Sequence, residues 1–132
     1  MNKRMTDLVV PRSEIASIKI TDIMSRAEDF QNSVLRPIIK MKNDLLLAYF
    51  INYIAVKKVK WKDLSAVKKV DYLESVFRND QSFRCELRGL VIGNFTLKEY
   101  TQYIDNQSDI NKRMINIIRK RIIDHLETIN IK

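Results

Sequence analysis

Three observations predict an all-α protein. Apolar residues recur every three to four positions along most of the chain, two stretches carry the Ser/Thr-x-x-Glu pattern of a helix start, and 132 residues contain only 2 glycines and 2 prolines. Together they describe a single irregular bundle of about five helices over residues 25–132, preceded by a short extended arm at residues 1–24. The length suits one domain, and a 45% hydrophobic fraction is enough for a packed core and too high for a disordered chain.

The arm contains Pro11 and the alternating stretch Ile15, Ser17, Ile18, Ile20, which has no sustained helical period. It reads as extended chain that packs on the bundle or crosses to a partner. Ser25 and Glu28 then stand at the spacing of a capping box, where each side chain satisfies an orphan amide of the first turn. From Phe30 onward Val34, Ile38, Met41, Leu45, Ala48 and Val56 form one stripe of a long first helix. Its second half, residues 45–56, is interrupted only by Asn52 and must be covered on most sides. Pro37 lacks an amide hydrogen and clashes with the preceding turn, so it should kink this helix or begin its second half.

Residues 57–63 read as a connector. Ser65 caps a second helix with Val67, Val70, Leu73, Val76 and Phe77 on its apolar face, and Asp80 caps a third carrying Phe83, Leu87, Leu90, Val91 and Ile92. Gly93 closes the third helix, where a left-handed residue is favoured, and Gly89 within it reads as a place of close approach by another helix. Thr96 and Glu99 form the second capping box, opening a short fourth helix with Leu97, Tyr100 and Ile104 facing inward. Ser108 or Asp109 starts the last helix, whose Met114, Ile115, Ile118, Ile122, Leu126 and Ile129 share one face. Ile117 and Ile123 fall off that face, and this surplus of apolar surface predicts a homo-oligomer, most simply a dimer.

Composition narrows the chemistry. One cysteine, Cys85, and one histidine, His125, leave no disulfide framework, no zinc site with Cys/His spacing and no second imidazole for a catalytic pair. No cofactor or metal is expected. The lone thiol, read as a small buried hydrophobe, suits a reducing compartment. The N-terminal residues lack the apolar run of a signal peptide, so a cytoplasmic location is expected. The longest apolar run, at twelve residues, falls short of the roughly 20 needed to span a bilayer.

The net charge of +8 is concentrated. Between Arg36 and Lys69 nine basic residues face only Asp44 and Asp63. Lys57, Lys58, Lys60, Lys62, Lys68 and Lys69 surround Trp61, and cations with an indole can bind phosphates and stack on a base. The plainer reading is a solvated connector whose tryptophan plugs the core. The abundance of Ile, Lys and Asn fits an AT-rich coding bias, which weakens the inference from charge to nucleic acid. Arg36, Asn43 and Asp44 form a second polar cluster, a ligand contact or a structural anchor in which Arg36 or Lys40 pairs with Asp44.

Phe30-Gln31-Asn32, Leu35-Arg36-Pro37-Ile38, Asn43-Asp44-Leu45-Leu46, Arg88-Gly89, Ile92-Gly93, Phe95-Thr96, Glu99-Tyr100 and Asn111-Lys112-Arg113-Met114 resemble a family of short bacterial all-helical proteins of uncharacterised role. Some of its members carry the label glyoxalase. The resemblance covers most of residues 15–125 and implies a helical fold. The label implies a small lyase or isomerase, yet glyoxalases resemble paired βαβββ modules with His and Glu metal ligands. One histidine and no strand pattern do not supply these, and no catalytic residue is carried over. The leading expectation is a non-enzymatic cytoplasmic interaction or regulatory module, with a nucleic-acid-binding protein using residues 57–69 as the alternative.

Overall fold

A computed structural model describes residues 26–128; the expected arm, Ser25 of the first capping box and Ile129 lie outside the described residues. Within them there is no strand, and the all-α expectation holds. Six α-helices follow one another: α1 (Arg36–Met41), α2 (Asn43–Val56), α3 (Ala66–Asn79), α4 (Gln81–Ile92), α5 (Leu97–Asp105) and α6 (Gln107–Asp124). Helical residues 26–30 and a π-helical turn, Gln31–Leu35, lead into α1, and single 3-10 turns occupy Trp61–Asp63 and Leu126–Thr128.

The first predicted helix is thus present but divided. Pro37 cannot donate to the ladder, and the chain meets it with a π-turn closed by the Arg36 amide donating to the Gln31 carbonyl. The break between α1 and α2 falls at Lys42, not at Pro37. There φ is −96° and ψ 14°, yet the Lys42 amide donates to Ile38 and the Lys42 carbonyl accepts from Leu46. Lys58 ends α2 in the left-handed region, at φ 58°; its amide donates to Ala55 and that of Val59 to Ile54, the two bonds of a Schellman motif.

The other expected starts are where local chemistry puts them. Ser65 Oγ accepts from the Lys68 amide, Asp80 Oδ1 from the Phe83 amide, and Thr96 and Glu99 close a full capping box. α6 begins at Gln107, one residue before the expected Ser108. Gly93 has φ −59°, so α4 ends without a left-handed residue; the Asn94 side chain instead donates to the Leu90 carbonyl. Gly89 is exposed, and a Cβ there would meet nothing within 4 Å, so none of the described helices approaches it.

α6 is the hub. It packs against the π-turn and every one of α1 to α5, and its Ile110, Met114, Ile118 and Ile122, four residues apart, are fully buried. Around them lie Leu35, Ile39, Leu46, Phe50, Leu73 and Leu87, with Phe83 in edge contact with Phe77 at 5.0 Å and Tyr53 at 4.7 Å. Tyr53 Oη donates to Asp80 Oδ2 at 2.6 Å and Tyr49 Oη to Glu86 Oε2 at 2.7 Å, tying α2 to the α3–α4 corner. Both phenols are pushed up, first by burial and then by the carboxylates they face, while the Tyr53 hydrogen bond and the Phe83 amide hold Asp80 below the usual carboxylate range.

Two expectations about surface are overturned. Residues 45–56 are not covered on most sides: Leu46, Phe50 and Ile54 are buried, while Leu45, Ala48, Ala55 and Val56 are exposed. Ile117 and Ile123, read as surplus, are half-buried and pack on the core. No described helix is long and apolar enough to cross a membrane.

Candidate functional site

The basic connector can be located residue by residue. Lys57, Lys58, Lys60, Lys62 and Lys68 are exposed, and Lys69 lies half-buried with its ammonium 5.5 Å from the Trp61 ring centre. Trp61 is only 3% exposed, edge-on to Phe50 at 5.5 Å and near Tyr72 at 6.4 Å. Its ring is committed to the core, so a base cannot stack on it without unpacking the connector. Its indole N–H is buried with no hydrogen-bond partner among the described residues.

The second expected cluster is regrouped. Asp44 is exposed and meets neither Arg36 nor Lys40; its Oδ1 accepts from Asn43 Nδ2 at 3.3 Å. Asn43 reaches across the fold: its Oδ1 accepts from Arg121 Nη1 of α6 at 3.1 Å. Arg36 Nε donates to Asn32 Oδ1, one turn earlier, at 3.1 Å. Both Arg36 and Arg121 line a groove of about 470 Å³ between the π-turn and α6, which Gln31, Arg113, Arg119 and Lys120 also line. In this groove Arg113 Nη1 donates to Gln31 Oε1 at 3.0 Å. Its acidic lining residue is Asp124, and His125, the C-cap of α6, places Nδ1 2.7 Å from the Arg121 carbonyl and therefore donates there.

Cys85 is exposed, not the buried hydrophobe expected, with Arg88 Nη2 3.2 Å from Sγ. Among the described residues no three His, Cys, Asp or Glu side chains gather as metal ligands.

The largest departure is α5. Leu97, Tyr100 and Ile104 were expected inward, yet they are 84%, 45% and 48% exposed and share one face of the helix. Tyr103 sets the orientation: it is buried, meets Phe95 at a ring distance of 5.7 Å and donates to Asn111 Oδ1 at 2.7 Å. Packing Tyr103 turns the three apolar residues outward. Sequence periodicity found this face and assigned it to the core, because periodicity does not say which side of a helix the rest of the chain occupies. No family model, curated protein or solved structure matches the chain.

Proposed function

We propose that this protein is a non-enzymatic interaction module that self-associates through the outward face of α5. The observation that carries this reading is the exposed trio Leu97, Tyr100 and Ile104 on a helix that turns Tyr103 to the bundle. Apolar side chains grouped on one face favour burial by about 25 cal/mol per Å² removed from water, and a tyrosine among aliphatic residues suits the centre of an interface. Lys98 and Thr101, both exposed, stand beside the trio as part of a polar rim. A cytoplasmic location belongs to the same reading, since an exposed thiol such as Cys85 persists where disulfides do not form.

Light scattering at tens of micromolar should give a mass near twice the 15.6 kDa of the chain. The double variant Leu97→Glu/Ile104→Glu should return it to the monomer with its melting temperature kept. A parent protein that is monomeric at these concentrations refutes the reading. The second reading, nucleic-acid binding, is favoured by the five exposed lysines between residues 57 and 68 and opposed by the burial of Trp61.

A further inference from the structure

The groove between the π-turn and α6 is built in a way that a solvated charged surface does not require. Two of its arginines are matched by carboxylates: Arg113 Nε by Asp109 at 3.1 Å and Arg119 Nη1 by Glu74 at 2.8 Å. Arg36 and Arg121 are held differently. Their hydrogen-bond partners are the neutral amide oxygens of Asn32 and Asn43, which orient a guanidinium without neutralising it, and among the described residues neither is in an ion pair. Lys120 adds a further exposed cation, against the single carboxylate of Asp124.

The wall opposite α6 depends on the π-turn. At about 100° per residue, positions five apart on an α-helix point some 140° away from each other. The i to i+5 bond between the Gln31 carbonyl and the Arg36 amide stacks these two residues instead, so both reach the groove. Pro37, directly after, has no amide with which to restore the ordinary ladder. On the facing side Arg113, Ile117, Lys120, Arg121 and Asp124 follow at the spacing of one helix face.

We propose that this groove is a binding site for a compact ligand carrying two or more phosphoryl groups. Planar guanidinium forks held at fixed orientation match phosphate oxygens two at a time, and an uncompensated pair of them calls for more than one negative charge. The volume lies within the roughly 300–1,000 Å³ of small-molecule sites. Among the described residues no phenylalanine, tyrosine or tryptophan lines the groove, so recognition falls on the anionic groups and not on stacking with a base. The exposed lysines of the connector are a different surface and serve as the control.

The test titrates inorganic pyrophosphate and tripolyphosphate, and separately a single-stranded oligonucleotide, into the full chain at physiological salt, by calorimetry and by amide chemical shifts. Saturable pyrophosphate binding is expected, with shifts at Gln31, Arg36, Lys120 and Arg121. Affinity should fall at least tenfold in Arg36→Gln/Arg121→Gln and stay unchanged in Lys62→Gln/Lys68→Gln. Asn43→Ala alters no charge and should weaken binding severalfold by releasing the Arg121 fork. If the double arginine variant does not fold, Lys120→Gln alone must still weaken binding. Absence of saturation at millimolar pyrophosphate overturns the proposal, as does equal loss in the connector variant. Tighter binding of the oligonucleotide through the same arginines also overturns it, reassigning the groove to a polymer backbone.

Discussion

Replacing Trp61 by alanine and by phenylalanine separates a core plug from a stacking platform. The ring is 3% exposed and meets Phe50 and Tyr72 edge-on, so truncation to alanine forfeits a large aromatic contact, a change that costs about 3–5 kcal/mol in typical cores. Part of that cost is offset here, because the buried indole N–H has no acceptor among the described residues and its removal relieves a penalty of about 1–3 kcal/mol. Taking the middle of both ranges, the net loss for Trp61→Ala is about 2 kcal/mol, against a total stability of about 5–15 kcal/mol. At roughly 3–5 °C per kcal/mol for a chain of this size, melting should fall by about 6–10 °C. Trp61→Phe keeps the edge contact and drops the unpaired donor, and should lie within about 1 kcal/mol of the parent. Urea unfolding followed by far-ultraviolet circular dichroism measures both. As the chain has a single tryptophan, parent fluorescence should be blue-shifted and indifferent to added oligonucleotide. Melting unchanged in Trp61→Ala, together with quenching by oligonucleotide, would refute the packing argument.

Gly89→Ala should raise stability by about 0.5–1 kcal/mol, since a Cβ there meets nothing and a helix interior favours alanine. Lys58→Gly should also stabilise, by roughly 1 kcal/mol, because Lys58 holds a left-handed conformation that a side chain opposes; thermal melts check both, and a drop in either contradicts the assigned backbone. Asp80 is held below its ordinary range by Tyr53 and the Phe83 amide, so its contribution is complete above about pH 4 and is lost as pH falls through the depressed value. Urea midpoints should fall toward acid, and Asp80→Asn should flatten that dependence; an unaltered slope would show that Asp80 is not its source. Changing Lys58, Lys60 and Lys62 to Glu should leave oligonucleotide affinity and melting almost unmoved; sub-micromolar, steeply salt-dependent binding lost in this variant would instead favour the nucleic-acid reading.

What could be read in advance was local. Ser65, Asp80 and Thr96 announce their helices because a cap is a bond between residues three apart, and the α6 stripe is visible because one helix face repeats within a few turns. The π-turn was visible only as its cause, Pro37, because whether a ladder bends or widens depends on what packs beside it. The orientation of α5 was lost for a like reason: Tyr103 is selected by Phe95 and Asn111, neither of which lies on the helix it turns. The groove was half visible. Arg36 and Asn43 stood out, but their common neighbour Arg121 lies 78 residues from Asn43, and Gln31 is 82 residues from Arg113. The polar spacing of Arg113, Lys120, Arg121 and Asp124 on α6 was the available signal, and it reads alone as a solvated face.

The central claim, that α5 is the surface through which copies of this chain meet, is tested most directly by an amide chemical-shift dilution series from high to low micromolar concentration. Shifts of Leu97, Lys98, Tyr100, Thr101 and Ile104 should move together along one binding curve, while the connector lysines stay fixed. Shifts that do not depend on concentration, or that change elsewhere and leave α5 unmoved, would contradict it.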